Sequence, residues 1–410
     1  MASCPVVNLH ALEFSHGLPS RSLALDLFLR DAEIDGDNRI SDLHVTRNGA
    51  PLPHHSLFPG SSDFLRIWLG GSSAPLEVSY RVNPTWVKGD APRGYLGERF
   101  GYLRGMVTFY SPYTLADLTA MLQRRDLPGD HAGTAQLTAE LPAEWDHVLP
   151  WADGSEFPTA DLRNVYLPVG QFIRQTSSIG DSQFMLAQNT DVSPDARASF
   201  AKLLPALFEQ AQACVGITPF TFADRFVVSI FPEEPIHGGA AGVNSLISSP
   251  EPETLAHEMF HWWNGRTLQF SADADWINEG FTSYYTGKLL RQVGYWSDED
   301  WARYMIRRRQ AIDRIGANGT LNLVRASKQL VKGGSSQDSA VVYHGGALVG
   351  AWLDRELVDQ GQSLDAVWVP LWKLGRQIST TDFISVLGEV AGDAVATECS
   401  DIVNGLASIR

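Results

Sequence analysis

Cysteine is scarce in this chain: Cys4, Cys214 and Cys399 stand far apart among 410 residues, with no CxxC spacing. That excludes a disulfide framework and a thiolate zinc site, and it predicts three free thiols in a reducing compartment. Basic charge is also short. Lys+Arg number 32 against 47 Asp+Glu, a formal charge of −15, which argues against nucleic acid as a partner, since phosphates must be neutralised by basic patches. Anionic membranes are disfavoured for the same Coulombic reason. No apolar run approaches the ~18–20 residues that span a bilayer; the strongest, Phe226 to Phe231, has six. The start, Met1-Ala2-Ser3-Cys4-Pro5, shows no basic segment followed by an apolar one, so the expected location is cytoplasmic. Internal repeats and low-complexity tracts are missing too. What is present is 44% apolar residues over a long chain, enough for a large core in two or three domains. Composition points to a soluble enzyme or a large binding protein.

The pattern along the chain predicts an α+β multidomain protein. Ser22 to Arg30, Leu76 to Val82 and Gln136 to Leu141 alternate with period two, as half-buried strands do. Turn clusters punctuate them at Asp35–Asn38, Asn48–Pro51, Pro59–Ser62, Gly70–Ser73 and Pro128–Asp130. An N-terminal β-sandwich over 1–160 follows, with its boundary in the loop-like Ala152 to Thr159. A mixed α/β region over 161–330 comes next. Ser199 to Val215 reads as a helix with Leu203, Leu207 and Ala211 on one face, Pro205 being a place for it to shorten or kink. Arg225 to Phe231 is a buried strand and Val243 to Ser248 a short one. Ser249-Pro250-Glu251 predicts a helix start, with a Ser cap and Pro at the first helical position, and a helix running to about Arg266. A second helix spans Asp275 to Gln292 and stops before Gly294. Ser297 and Asp300 fit a capping box for a helix continuing to Ile315. A C-terminal helical region over 331–410 contains a long apolar-striped helix, Ala340 to Val358, and two more opened by Ser363-Leu364-Asp365 and Thr380-Thr381-Asp382.

The chemistry is carried by His257-Glu258-Met259-Phe260-His261. Two histidines at i and i+4 on a helix stack on one face about one turn apart. Both neutral rings can then bind one zinc ion, and Glu258 lies beside it to take a proton from water. A catalytic zinc site wants a third protein ligand and one open position. Glu279 follows His261 after seventeen residues, inside Trp276-Ile277-Asn278-Glu279-Gly280-Phe281-Thr282-Ser283-Tyr284-Tyr285. A loop from Thr267 to Ala274 lets the second helix pack back and offer Glu279 to the metal. Trp263 and Asn264, just past His261, hold the helix and its ligands from behind.

These segments, HEMFHWWN and WINEGFTSYY, resemble the glycyl aminopeptidase family of zinc metallopeptidases, whose members carry HExxHxWN and WxxEGFTxYY. More distantly they are similar to the leukotriene hydrolase and aminopeptidase N family. Further stretches add to the resemblance: Leu137 to Trp145, Val215 to Phe220, and Val342 to Val349 with Trp352-Leu353-Asp354. The resemblance implies a thermolysin-like catalytic domain, one zinc ion, and hydrolysis of a peptide or small amide substrate. It also implies that Tyr343, two residues before Gly345, donates to the oxyanion beside the metal. His344 stands where the family has another residue before a Lys-Gly pair, so the electrostatics there differ.

Two departures from that family bear on activity. Its exopeptidases carry a Glu in a glycine-rich strand, where the carboxylate pairs with the substrate's free amine. Here the matching segment reads His237-Gly238-Gly239-Ala240-Ala241-Gly242-Val243-Asn244-Ser245, and no acid lies between Pro235 and Pro250. An ammonium buried there would lack a counter-charge, so a standard aminopeptidase is not expected. Gly239, Ala240, Ala241, Gly242 and Asn244 remain candidates to line the substrate by pairing with an extended backbone. The family's usual PDZ-like module is also not expected, because only about 45 residues follow Asp365. Two other readings stand beside the peptidase: a zinc hydrolase or cyclase acting on a small biosynthetic intermediate, and a non-catalytic binding protein on a peptidase scaffold.

Overall fold

The computed structural model describes residues 8–11, 24–28, 40–51, 55–57, 64–68, 76–82, 86–88, 91–105, 111–113, 134–152, 154–158, 165–221, 223–233, 237–315 and 320–409. By contact the chain forms two units, one of Met1–Ser193 with Thr221–Ser249, the other of Pro194–Phe220 with Pro250–Arg410.

In the first unit the alternating segments become antiparallel strands. Ala24–Phe28, Leu76–Val82 and Thr134–Glu140 stand where the period-two pattern puts them. The Asn48-Gly49 pair closes the hairpin between Ile40–Arg47 and Ala50–Pro51. Both residues have positive φ, 51° and 76°, the backbone a two-residue turn requires and Asn-Gly supplies at little cost. The other four turn clusters lie outside the described residues, as does Cys4. Leu103, Leu137, Leu149, Trp151, Phe157, Val165 and Leu167 form one buried cluster, with the Trp151 and Phe157 rings stacked at 3.9 Å.

A five-stranded sheet completes this unit, in the order Phe172–Ile179, Ser182–Asn189, Phe226–Ile230, Ser245–Ser248, Gly239–Gly242. Its inner pairs are parallel and its outer pairs antiparallel. All five residues of Phe226–Ile230 are buried, which is why that strand reads as a continuous apolar run.

The second unit is mainly helical. Helix α1, Pro194–Val215, buries Leu203, Leu207 and Ala211 and runs through Pro205 without interruption. Helix α2 is Pro252–Phe260, α3 Asp275–Gln292 and α4 Asp298–Arg314. They are followed by α5 Leu323–Leu330 and α6 Ser336–Ala340, a π-helical turn Val341–Gly345, and α7 Gly346–Val358. A 3-10 turn, Leu364–Val367, precedes α8 Trp368–Lys373, α9 Thr380–Ala391 and α10 Asp393–Val403. The Ser297/Asp300 capping box forms as its spacing predicts. No described helix is long and apolar enough to cross a membrane, and Cys214 and Cys399 are free, buried thiols.

Three expectations need correction. Helix α2 starts at Pro252, with Glu251 at the N-cap position but making no side-chain cap, and not at Ser249-Pro250. A residue before proline is pushed out of the helical region, and Glu251 is extended at φ −113°, ψ 121°; Ser249 instead ends the sheet, its N–H donating to the Gly238 carbonyl. Nor does α2 reach Arg266: from His261 the chain turns, with Arg266, Thr267 and Leu268 bonding back five residues. Finally, the long helix Ala340 to Val358 is broken in character by the π-helical turn at its start.

Candidate metal centre

Helix α3 is buried almost all round, with Trp276, Ile277, Gly280, Phe281, Tyr284 and Tyr285 among its covered residues. It is the axis on which the site is built. Asn264 fastens α2 to it: the Asn264 amide donates to the Ile277 and Asn278 carbonyls at 2.9 and 2.8 Å and to Thr282 Oγ1 at 3.0 Å. Trp263 is fully buried, donates from its indole to the Ile217 carbonyl at 2.8 Å, and packs on Phe208 of α1. Both side chains therefore tie the end of α2 to its neighbours. Gly265, φ +125°, is needed here, because a Cβ would lie 2.6 Å from Asn278 Oδ1.

This arrangement brings His257, His261 and Glu279 together. Their facing atoms form a nearly equilateral triangle: Nε2 to Nε2 is 3.2 Å, and Glu279 Oε2 lies 3.4 and 3.3 Å from His257 and His261. Oε2 is buried and accepts no formed hydrogen bond. Donors ~2.0–2.1 Å from a tetrahedral zinc ion stand about 3.3–3.4 Å apart, so the triangle has the edge a zinc ion requires. The ring tautomers suit it as well. His261 Nδ1 faces the Asn264 carbonyl at 2.8 Å, so in the neutral ring Nδ1 carries the proton and Nε2 is the nitrogen that offers a lone pair to a metal. The side chains are 17, 11 and 17% exposed, enough to shield a cation while leaving one side accessible.

Charges interlock around the triangle. Burial alone would raise Glu279, but the neighbouring His261 and His257 hold it well below the usual carboxylate range. Burial disfavours a charged His261, yet Glu279, Glu258 and the Asn264 carbonyl draw its pKa up to about 9 without an ion. Burial pushes Glu258 above the usual range, opposed by both histidines.

Tyr343 reaches the same place from the π-helical turn, its ring stacked on that of His257 at 6.0 Å and 13°. Burial first, then the negative Glu279, raises its phenol well above the usual range, so it stays a donor. Two glycines permit the approach. A Cβ on Gly280 would lie 2.5 Å from Gly346 Cα, and one on Gly346 would lie 2.4 Å from the Trp276 carbonyl oxygen. Bare backbones of α3 and α7 therefore touch, carrying Glu279 and Tyr343 together. His344 is half-buried; burial and the Arg308 charge lower its pKa to about 4, so it is neutral near pH 7.

Gly239, Ala240, Ala241 and Gly242 form the edge strand of the five-stranded sheet, and Asn244 sits in the turn after them at φ 53°. Its amide donates to Thr221 Oγ1 at 2.8 Å. These residues belong to the first unit, whereas the triangle belongs to the second. Sequence reasoning passed over two groups beside Glu279: Asp275 and Asn278, whose side chains bond to each other and, from Asn278, to Glu279. Asn278 lies in the quoted motif and Asp275 just before it, but nothing in their spacing marks them.

Comparison with known proteins bears out the resemblance seen in the sequence. Residues 251–349 match the model of the M61 glycyl aminopeptidase family, and no curated protein matches the chain significantly in sequence. Among solved structures, the chain is similar to an aminopeptidase N family protein from Idiomarina loihiensis, with TM-score 0.73 and 18% identity over 98% of this chain and 74% of that one. It is similar to an M1 zinc metallopeptidase from Deinococcus radiodurans, with TM-score 0.59 and 15% identity over 94% and 86%. It is also similar to aminopeptidase A of Legionella pneumophila, with TM-score 0.54 and 14% identity over 96% and 46%. The mixed, multidomain fold is that of aminopeptidase N-like proteins, and the segment matched by the family model holds His257, Glu258, His261, Glu279 and Tyr343.

Proposed function

We infer that the chain is a zinc-dependent, metallopeptidase-type hydrolase of peptide or amide bonds. The observation that carries this reading is the triangle of Nε2, Nε2 and Oε2 atoms with edges of 3.2–3.4 Å. His257, His261 and Glu279 would hold one zinc ion. Bound there, zinc supplies Lewis acidity and acidifies a water molecule toward ~7.

The chain's own groups do the rest. Glu258 takes the proton of the attacking water and returns it to the leaving amine. A carboxyl lifted by burial is a stronger base than a free one. Tyr343 donates to the oxyanion of the tetrahedral species, its protonated state secured by burial and by Glu279. Trp263 and Asn264 keep His261 and α2 in register with α3.

The substrate is a peptide or small amide without a free amine bound in the usual way. What supports this is the stretch between Pro235 and Pro250, which offers no carboxylate to pair with an ammonium group. A hydrolase or cyclase of a small intermediate shares the same chemistry and differs only in what binds. A binding-only protein would have no use for Glu258, which is not one of the three converging donors.

Glu258→Gln tests the mechanism. The variant should retain zinc and lose turnover on the order of 10²–10⁴-fold; hydrolysis at the wild-type rate would overturn it.

A further inference from the structure

Asp275 and Asn278 form a relay behind Glu279. Asp275 stands one helical turn before Glu279 on α3, so the two carboxylates share a face. The Asn278 side-chain amide lies between them, with Nδ2 3.0 Å from Asp275 Oδ1 and 3.3 Å from Glu279 Oε1. Its two N–H bonds are thus directed at two carboxylates. The opposite orientation would aim the amide oxygen at both negative groups, which electrostatics forbids. Asn278 Oδ1 consequently faces away, buried and without a partner, over the backbone of Gly265, where a side chain would meet it at 2.6 Å. An amide that leaves its own buried oxygen unsatisfied forgoes a hydrogen bond, so its direction is dictated by the donors.

The consequence falls on Glu279. Its Oε1 is engaged by Asn278, which leaves Oε2 as the atom turned to the two imidazoles. We propose that Asp275, acting through the Asn278 amide, is a positioning group that fixes the Glu279 carboxylate and so sets the affinity of the site for its divalent cation. Asp275 orients Asn278 and adds negative charge behind the ligand; Asn278 transmits both. Partners of metal ligands work in this way, and their removal typically weakens binding 10- to 100-fold. This inference rests on the metal centre proposed above.

The test is zinc affinity, by competition with a chromophoric chelator, for wild type, His257→Ala, Asn278→Ala and Asp275→Asn, with the electronic spectrum of the cobalt-substituted proteins as a second readout. Asn278→Ala should bind zinc roughly 10- to 100-fold more weakly and shift the cobalt bands. Asp275→Asn should weaken binding by less, because its amide oxygen still accepts from Asn278 while the charge is gone. Wild-type affinity and an unshifted spectrum in either folded variant would overturn the relay. Circular dichroism of the metal-free proteins establishes folding, and if Asn278→Ala does not fold, the isosteric Asp275→Asn decides alone. A wild-type chain that takes up no more zinc than His257→Ala would overturn the metal centre itself and the relay with it.

Discussion

At the level of single residues, His261 joins the fold to pH. Without an ion its ring is drawn up to about 9 by Glu279 and Glu258 against the cost of burial, above the ~6.5 of a free imidazole. Near neutrality the ring therefore holds a proton where a metal would bind. Zinc must displace it, and affinity should rise with pH until about 9. Calorimetry at pH 7 in two buffers of different ionisation enthalpy should show about one proton released per zinc; none released would contradict this electrostatic picture. The raised pKa also stabilises the metal-free fold fully below the ordinary histidine range, and that contribution is lost as pH rises through about 9. His257, Glu258 and His261 were legible because they are tied to a helical period, the histidines by i, i+4 and Glu258 by adjacency; Glu279 was legible from its apolar motif, and Tyr343 only through the family resemblance. Asp275 and Asn278 were not, since an acid and an amide in a helix's first turn are ordinary there. Only the side-chain directions distinguish them.

At the scale of elements, the assembly depends on two helices meeting without side chains between them. Gly346→Ala would place a methyl 2.4 Å from the Trp276 carbonyl oxygen and 2.8 Å from Gly280 Cα, backbone that cannot step aside. Such overpacking costs about 1–3 kcal/mol, and it would move Tyr343 away from His257. Gly388→Ala in α9 is the control, because its new methyl would meet Ala396 and Asp393 only at 3.6 Å. Thermal melts should show Gly346→Ala destabilised, with reduced turnover, and Gly388→Ala at or above wild type. Equal melting temperatures would contradict the close approach. The bounds of α3 were readable, since apolar residues fill it and glycine ends it. The start of α2 was misplaced by two competing prolines, the second of which governs through Glu251. The π-helical turn left no local signal: Val341 to Gly345 are as compatible with an ordinary helix, and contacts to α3 decide otherwise.

On the scale of the whole molecule, the chain crosses between its two units three times, at Ser193, Phe220 and Ser249. The alternating strands and buried run of the first unit could be read locally. The return of 221–249 to it could not, because periodicity reports what a segment buries and not against which partner. Substrate choice belongs to this scale too. With no acid between Pro235 and Pro250, peptides with N-acylated ends should be cleaved at least as fast as their free-amine counterparts. A panel of matched pairs measures this by kcat/KM. Strong preference for free amines would show that another group supplies the counter-charge.

The central claim is that two imidazoles and one carboxylate hold a single zinc ion. Metal analysis of the purified wild-type chain and of Glu279→Ala tests it most directly. Wild type should carry one zinc per chain and Glu279→Ala markedly less under the same dialysis. Equal zinc in the two proteins, or none in the wild type after zinc is supplied, would contradict the account.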